Sequence, residues 1–148
     1  MEPRISILTL LVEDMRRSYR FYAEGLGLPT SRKPDDDWIA FRLQGVCLCI
    51  YPYAKFAGEH LPRRLDADRA LDRGVVPPIS LAYNTRQKRE VDQVLQLAER
   101  AGGTIEKPAA DTFWGGYSGY FADPDGHLWE VAWAESWKFH PDGSLVIE

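Results

Sequence analysis

The segment from Phe113 to Trp133 constrains the fold of this chain more than any other part of the sequence. Two apolar, aromatic-rich runs flank the sequence DPDG at 123–126, and the last residue of that turn is free to adopt a positive φ. The pattern predicts a β-hairpin with a short loop. Its second arm carries one acid, Glu130, among apolar neighbours. Because an unpaired buried charge is very costly, Glu130 must be solvated, hydrogen-bonded or bound to a cation.

Length and composition are those of one ordinary globular domain. The chain has 148 residues, of which 45% are hydrophobic and 27% are charged. A net charge of −4, with no cluster of Lys and Arg, argues against a nucleic-acid partner. No apolar run approaches membrane-spanning length, so no membrane partner is expected.

The only two cysteines, Cys47 and Cys49, share one face of a predicted strand. The loop between them is too short for a favourable disulfide. We therefore interpret them as two small buried residues rather than as a metal or redox pair. Two free thiols suit a reducing compartment, and the N-terminus does not resemble a signal peptide. The predicted location is the cytoplasm.

The first third of the chain predicts a strand, a helix and two further strands. Residues 5–12 are rich in β-branched and aliphatic side chains and predict a strand. Asp14 is placed to cap a helix that glycines then end. Residues 38–43 and 46–51 predict two strands joined at Gln44-Gly45.

The same order of elements then begins again. Residues 79–83 predict a strand, and Asn84 or Thr85 is placed to cap the following helix, which stops at glycines 102–103. A short strand at 104–106 and the hairpin complete this half. The chain is thus predicted as one domain over 1–148, built from a first unit (1–51), a linker (52–77), a second unit (78–137) and a tail (138–148).

Three features of the sequence stand out: the repeated βαβββ unit, the segment VEDMRRSYRFYAEGLGL at 12–28 and the segment YFADPDGHLWEV at 120–131. Together they resemble the vicinal oxygen chelate superfamily. This superfamily includes glyoxalase I, extradiol dioxygenases, and bleomycin- and fosfomycin-resistance proteins. The resemblance implies an α+β fold in which two βαβββ units form a cup-shaped β-sheet with helices outside. Many relatives pair as dimers, so a homodimer is expected by analogy.

Metal-using members of this superfamily place four ligands in the cup, one from the first strand and one from the last strand of each half. The resemblance maps these positions onto Ile7, Cys49, Ser80 and Glu130. Only Cys49 and Glu130 are competent donors, whereas a divalent cation typically needs three or more protein ligands. We therefore expect no metal and no other cofactor. If a divalent metal does bind, Glu130 and Cys49 are its predicted ligands.

Aromatic residues are predicted to line the same cup. Alternation along the strands places Trp38, Tyr51 and Tyr120 on its inner face, and Arg42 shares the parity of Trp38. Such a cavity suits a planar organic molecule with a polar or anionic group, although packing in the core is the alternative for each ring. The predicted ligand-binding set is Thr9, Trp38, Arg42, Cys49, Tyr51, Ser80, Asn84, Trp114, Tyr120 and Glu130.

Glu130 allows more than one interpretation. It can be a structural carboxylate hydrogen-bonded to Ser80, Asn84 or a tyrosine, or it can contact a ligand or act as a catalytic general base. His127 could also be a ligand or a base. Its parity points away from Glu130, however, and favours a histidine at the rim.

The favoured function is the binding of a small, partly aromatic organic molecule without the usual metal set. Two enzymatic alternatives stay open. One is a metal-dependent lyase or oxygenase of the same superfamily, and the other is a metal-free enzyme that uses Glu130 as its general base.

Overall fold

The computed structural model of the chain describes residues 5–60 and 79–146, with only the backbone described at 57–60. These residues form two compact units, one within 1–76 and the other within 77–148. The first unit carries a three-stranded mixed sheet with helices packed against it, and the second carries a four-stranded sheet with one described helix packed against it. The α+β class predicted from the sequence is confirmed.

The first unit follows the predicted order of elements. Asp14 is the N-cap of its first helix, and the Asp14 carboxylate accepts a hydrogen bond of 3.0 Å from the backbone N–H of Arg17, as predicted. The sheet has the order β1-β3-β2, with β1 parallel and β2 antiparallel to β3. The elements are β1 (Ile7–Val12), α1 (Met15–Tyr19), a π-helical segment (Arg20–Gly25), β2 (Ile39–Arg42), β3 (Cys47–Pro52) and α2 (Tyr53–His60).

The π-helical segment explains how two successive aromatic residues are buried together. The backbone N–H of Leu26 donates to the carbonyl of Phe21, five residues earlier, at 2.8 Å. The wider turn leaves both Phe21 and Tyr22 without solvent exposure. The Tyr22 ring packs against that of Phe41 in β2, with 5.6 Å between the ring centroids. This contact joins the helical segment to the sheet.

The sheet of the first unit has the three strands that its residues predict; the fourth strand of a βαβββ unit, which the resemblance implies, is not found within the described residues. One further feature differs from the sequence analysis. The predicted linker at 52–77 begins with α2, a helix that the proline- and charge-rich composition did not predict. The rest of that linker, at 61–77, lies outside the described residues.

The second unit contains the predicted hairpin. The backbone N–H of Gly126 donates to the carbonyl of Asp123 at 3.0 Å, and Gly126 has the expected positive φ of 93°. The sheet order is β4-β7-β6-β5, with β4 parallel to β7. The elements are β4 (Ser80–Asn84), α3 (Lys88–Arg100), β5 (Thr104–Asp111), β6 (Tyr117–Ala122) and β7 (Leu128–Trp133).

The start of α3 was predicted wrongly. Its N-cap is Gln87, and the Glu90 carboxylate accepts hydrogen bonds from the backbone N–H groups of Arg86 and Gln87 at 2.9 and 3.0 Å. Thr85 does not cap the helix because its backbone extends the pairing of β4 with β7. Its N–H donates to the carbonyl of Ala132 at 2.8 Å, and the residue is buried.

Strand β5 is longer than the predicted segment 104–106. It continues through Pro108 to Asp111, with one register shift between Ile105 and Lys107 and another between Lys107 and Ala110, the segment that contains the proline. The bulges accommodate the missing N–H, and β5 lies at the edge of the sheet, where a proline is tolerated. Within the described ranges, none of the helices is both long and apolar enough to span a bilayer.

Candidate functional site

The four-stranded sheet of the second unit has one side against α3 and one side away from it. A Cβ at Gly119 in β6 would lie 2.6 Å from Cδ1 of Leu95, a buried residue of α3, so position 119 faces the helix. Side chains alternate between the two sides of a strand, and residues paired across strands lie on the same side. The strand register therefore identifies the residues on the side away from α3. We call that side the Glu130 face; it consists of Ser80, Ala82, Asn84, Ser118, Tyr120, Ala122, Leu128, Glu130 and Ala132.

Glu130 and Tyr120 form a hydrogen-bonded pair on this face. They are direct partners in the β6–β7 register, and the Tyr120 hydroxyl donates to Oε1 of Glu130 at 2.7 Å. Of the three partners considered for Glu130, a tyrosine is the one observed. Oε2 of Glu130 accepts no hydrogen bond from the described residues. The carboxylate is therefore held by one oxygen and keeps a second oxygen for another donor.

The pair also affects the ionisation of Tyr120. The hydrogen bond to Glu130, together with burial, raises the pKa of Tyr120 to about 12. The hydroxyl thus stays protonated and keeps donating throughout the physiological range. Lys107, the partner of Tyr120 in β5, places its Nζ 5.9 Å from the centroid of the Tyr120 ring. An acid, a phenol and an ammonium group thereby follow one another across three neighbouring strands.

The residues around this pair are small. Ala82 lies directly opposite Glu130 in β4 and is exposed, as is Ser80. Ser80 and Asn84 share the face with Glu130, as the resemblance implied, but no hydrogen bond joins either of them to it among the described residues. The structure thus places four predicted residues of the second unit, Ser80, Asn84, Tyr120 and Glu130, on one side of one sheet.

The first unit shows the same division into two sides. Buried Leu10, Leu48 and Phe41 face the helical segment that carries Tyr22. The strand register places five predicted residues or metal positions on the opposite side, and Trp38 has the same parity just before β2. These five are Ile7, Thr9, Arg42, Cys49 and Tyr51.

Two aromatic rings on that side already have partners. The guanidinium of Arg32 lies 4.4 Å from the centroid of the Trp38 ring. Tyr51 meets Phe56 of α2 edge to face, with 6.2 Å between centroids, and Lys55 lies 5.7 Å from the Tyr51 ring. Tyr51 therefore packs against a helix that the sequence analysis missed.

The two cysteine side chains are close together and reduced. Their Sγ atoms are 3.8 Å apart, Cys49 is buried and Cys47 is half-buried. Burial, reinforced by the hydrogen bond with Cys47, raises the pKa of the Cys49 thiol to about 11. A buried, protonated thiol must release its proton before its sulfur can act as a metal ligand.

The residues at the four predicted metal positions do not fit the metal set of the superfamily. Ile7 has no donor atom, Ser80 offers a neutral hydroxyl and Oε1 of Glu130 accepts from Tyr120. Within residues 5–60 and 79–146, no three His, Cys, Asp or Glu side chains converge closely enough to hold a metal ion. The described residues at these positions therefore do not supply the three protein ligands that a divalent cation typically needs.

His127 belongs to the turn rather than to the Glu130 face. Its Nδ1 lies 2.8 Å from Oδ2 of Asp123, whose side chain is fully buried. His140 is exposed in the tail, where its backbone N–H donates to the carbonyl of Ser144. His60 ends α2, and its side chain is not described.

Trp114 lies outside the strands, in the loop between β5 and β6. Its indole stacks on that of Trp137, with 5.8 Å between centroids and 21° between the ring planes. Sequence reasoning missed Trp137 because it was assigned to the end of the second unit, without a partner. It missed Lys107 because the predicted strand stopped at residue 106.

The whole-chain pattern identifies the family. The profile of the Glyoxalase/Bleomycin resistance protein/Dioxygenase superfamily matches residues 4–131. The chain belongs to this superfamily, which confirms the resemblance found in the sequence. No curated protein matches the sequence.

Solved structures support the same assignment. A glyoxalase-related enzyme from Fulvimarina pelagi is 31% identical over 98% of both chains, with a TM-score of 0.80. A glyoxalase/bleomycin resistance protein/dioxygenase from Nocardioides is 25% identical over 92% of this chain and 87% of that one, with a TM-score of 0.67. A lactoylglutathione lyase from Agrobacterium tumefaciens, at 24% identity over 93% of this chain and 98% of the other, shares the fold with a TM-score of 0.64.

Proposed function

We propose that this protein binds a small, partly aromatic organic molecule on the Glu130 face. The observation that carries the proposal is the 2.7 Å hydrogen bond from Tyr120 to Oε1 of Glu130, which fixes a carboxylate and leaves Oε2 for a ligand. Oε2 is not a buried unpaired atom, so it is open to water in the free protein and available to a partner from a ligand. A hydroxyl or N–H group of the ligand supplies that partner.

The surroundings of Glu130 define the rest of the ligand. Ala82 and Ser80 are exposed and small, so they leave room beside the carboxylate for a planar group. Lys107 lies on the far side of the Tyr120 ring and attracts an acceptor or anionic group. A phenol that also carries a carboxylate has both features.

A matched pair of probes tests this proposal. We expect 3-hydroxybenzoate to raise the unfolding temperature of the protein, because a ligand that binds the native state stabilises it by mass action. The affinity of 3-methoxybenzoate, which cannot donate to Glu130, should be about tenfold lower, as for the loss of one hydrogen bond to a charged group.

Variants locate the binding. Glu130→Gln should weaken 3-hydroxybenzoate binding by about tenfold. Glu99→Gln, an exposed acid on α3, should bind like the wild type and controls for the change in net charge. Unchanged binding by Glu130→Gln, or equal binding of the two probes, would overturn the proposal.

A metal-free enzyme is the second candidate, and the free Oε2 of Glu130 favours it. A carboxylate held by one oxygen and open at the other is placed to accept a proton from a bound molecule. If Glu130 is a general base, acidic C–H groups of a bound ligand will exchange with solvent deuterium, and Glu130→Gln will abolish the exchange. Elemental analysis that finds stoichiometric Ni, Zn, Mn or Fe would instead favour a metal-dependent lyase or oxygenase.

We further propose that the protein is a cytoplasmic homodimer. Many members of the superfamily pair as dimers, and two unlinked thiols 3.8 Å apart suit a reducing compartment. Light scattering after size-exclusion chromatography tests the oligomeric state, since a dimer should have a mass of about twice the 16.9 kDa chain.

A further inference from the structure

A recess lies between two loops of the second unit, beyond the ends of its central strands. One loop joins β5 to β6, and the other is the turn that follows β7. The recess has a volume of about 460 Å³, which is within the range of small-molecule sites. It is lined by Trp114, Gly115, Ala134, Glu135, Ser136 and Trp137.

Hydrogen bonds fix the shape of both loops. In the first loop, two hydrogen bonds of 2.9 Å join Thr112 to Gly116. The Thr112 N–H donates to the Gly116 carbonyl, and Oγ1 of Thr112 accepts from the Gly116 N–H. In the second, the N–H of Trp137 donates to the carbonyl of Ala134 at 3.2 Å. The two aromatic side chains are therefore presented by ordered turns.

The first loop needs glycine to present its tryptophan. A Cβ at Gly116 would lie only 1.7 Å from the Trp114 ring, so the indole rests directly on the backbone at this position. Gly115 has a φ of 86°, a conformation that favours glycine. Trp114 stacks from there on Trp137 and still keeps 44% of its surface exposed.

The recess also carries a negative charge. Glu135 is exposed, and its carboxylate makes no ion pair or hydrogen bond among the described residues. None of the six lining residues is basic. Two indoles, which stack on each other, and one carboxylate thus line one small volume, and both kinds of group attract a cation.

We propose that this recess binds a small organic cation, such as one that carries a quaternary ammonium group. Indole is the aromatic ring that attracts cations most strongly, and a weakly hydrated ammonium loses little on leaving water. Glu135 supplies the counter-charge at the edge of the recess. This site is separate from the Glu130 face and does not depend on the function proposed for it.

Choline and its neutral isostere 3,3-dimethylbutan-1-ol test the proposal on the whole protein. The two molecules have the same shape and differ in charge, so ligand-observed NMR titration should show at least about fivefold tighter binding of choline. Glu135→Gln should weaken choline binding by about threefold or more, and Trp137→Leu should abolish it. Glu99→Gln serves as the control for net charge.

A second measurement separates loss of the site from loss of the fold. Glu135→Gln and Trp137→Leu should still bind 3-hydroxybenzoate as the wild type does, if that ligand binds at all, and should keep the wild-type far-ultraviolet circular dichroism. Equal binding of the two isosteres, or choline binding that Glu135→Gln and Trp137→Leu leave unchanged, would overturn the proposal.

Discussion

Nδ1 of His127 lies 2.8 Å from Oδ2 of Asp123, which ties a histidine to a buried carboxylate across the β6–β7 turn. Oδ1 of Asp123 accepts hydrogen bonds from the backbone N–H groups of Asp125 and His127, at 3.0 and 2.8 Å. Burial opposes the charged form of His127. The hydrogen bond to Asp123 and the charges of Asp123 and Asp125 outweigh this, and they raise the pKa of His127 above its usual 6.5.

The stability of the protein should therefore depend on the protonation of His127. Because the pKa of His127 is higher in the folded than in the unfolded chain, protonated His127 stabilises the fold. This stabilisation is fully present below about pH 6.5 and is lost as the pH rises through the pKa of His127 in the folded protein. Urea unfolding from about pH 5.5 to about pH 8.5 should show this loss in the wild type and not in His127→Gln. His140→Gln, at an exposed histidine, should retain it. Identical pH profiles for wild type and His127→Gln would contradict the prediction.

Loss of the Tyr120 hydroxyl should destabilise the protein. Tyr120→Phe leaves a half-buried Glu130 without its hydrogen-bond donor, at a cost of about 1 to 2 kcal/mol in the free energy of unfolding. Tyr83→Phe is the matched control, because the Tyr83 side chain is exposed and makes no hydrogen bond among the described residues. Denaturant titration of both variants makes the comparison, and equal stabilities would count against a structural role for the Tyr120–Glu130 pair.

Glu90 should stabilise the beginning of α3. Its carboxylate accepts from two backbone N–H groups and lies at the positive end of the helix, so Glu90→Ala should cost about 1 kcal/mol. Glu99→Ala removes an acid near the negative end of the same helix and should be neutral or slightly stabilising. Thermal unfolding of the two alanine variants measures the difference. A loss of stability in Glu99→Ala as large as that in Glu90→Ala would argue against the cap.

A methyl group at position 119 should disrupt the contact between β6 and its neighbours. The added Cβ would lie 2.6 Å from Cδ1 of Leu95 and 2.9 Å from backbone atoms of Lys107 and Ala109. Because backbone atoms cannot turn aside as a side chain can, Gly119→Ala should cost about 1 to 3 kcal/mol. Ser118→Ala, at the adjacent buried position, adds no atom and should change stability far less. A wild-type melting temperature for Gly119→Ala would show that the sheet adapts to the methyl group.

The two thiols should differ in reactivity. Cys49 is buried and its pKa is about 11, so little thiolate forms at neutral pH, whereas Cys47 is half-buried. Iodoacetamide should modify Cys47 at least about tenfold faster than Cys49, as mass spectrometry of the native protein can measure. In guanidinium chloride the two rates should converge. Faster modification of Cys49 in the native state would contradict the burial seen here.

Local sequence signals were sufficient for the hairpin and for the body of α3. The turn sequence and its final glycine specify the hairpin within a few residues, and the apolar spacing of Val91, Leu95 and Ala98 specifies the buried side of the helix. Strand alternation was also sufficient to place Ser80 and Asn84 on one side of β4, and the resemblance to the superfamily put that side on the face of Glu130. These features depend on short-range geometry.

Features that depend on distant partners were missed or left open. Thr85 looked like a helix cap until its pairing with Ala132, 47 residues later, extended the ladder instead. Strand β5 continues past Pro108 because β6 offers it a partner on one side. The choice of Tyr120 over Ser80 or Asn84 as the partner of Glu130 likewise depends on the β6–β7 register, which the sequence restricts but does not determine.

Pro108 has a further consequence for association between molecules. Strand β5 ends the sheet order, and a strand at the edge of a sheet is a template on which another chain can add a strand. A proline offers no N–H to such a chain, and the bulges beside it break the regular spacing that a long ladder needs. Pro108 thus makes this edge a poorer template for strand addition, and replacing it with valine would restore an N–H group at this position.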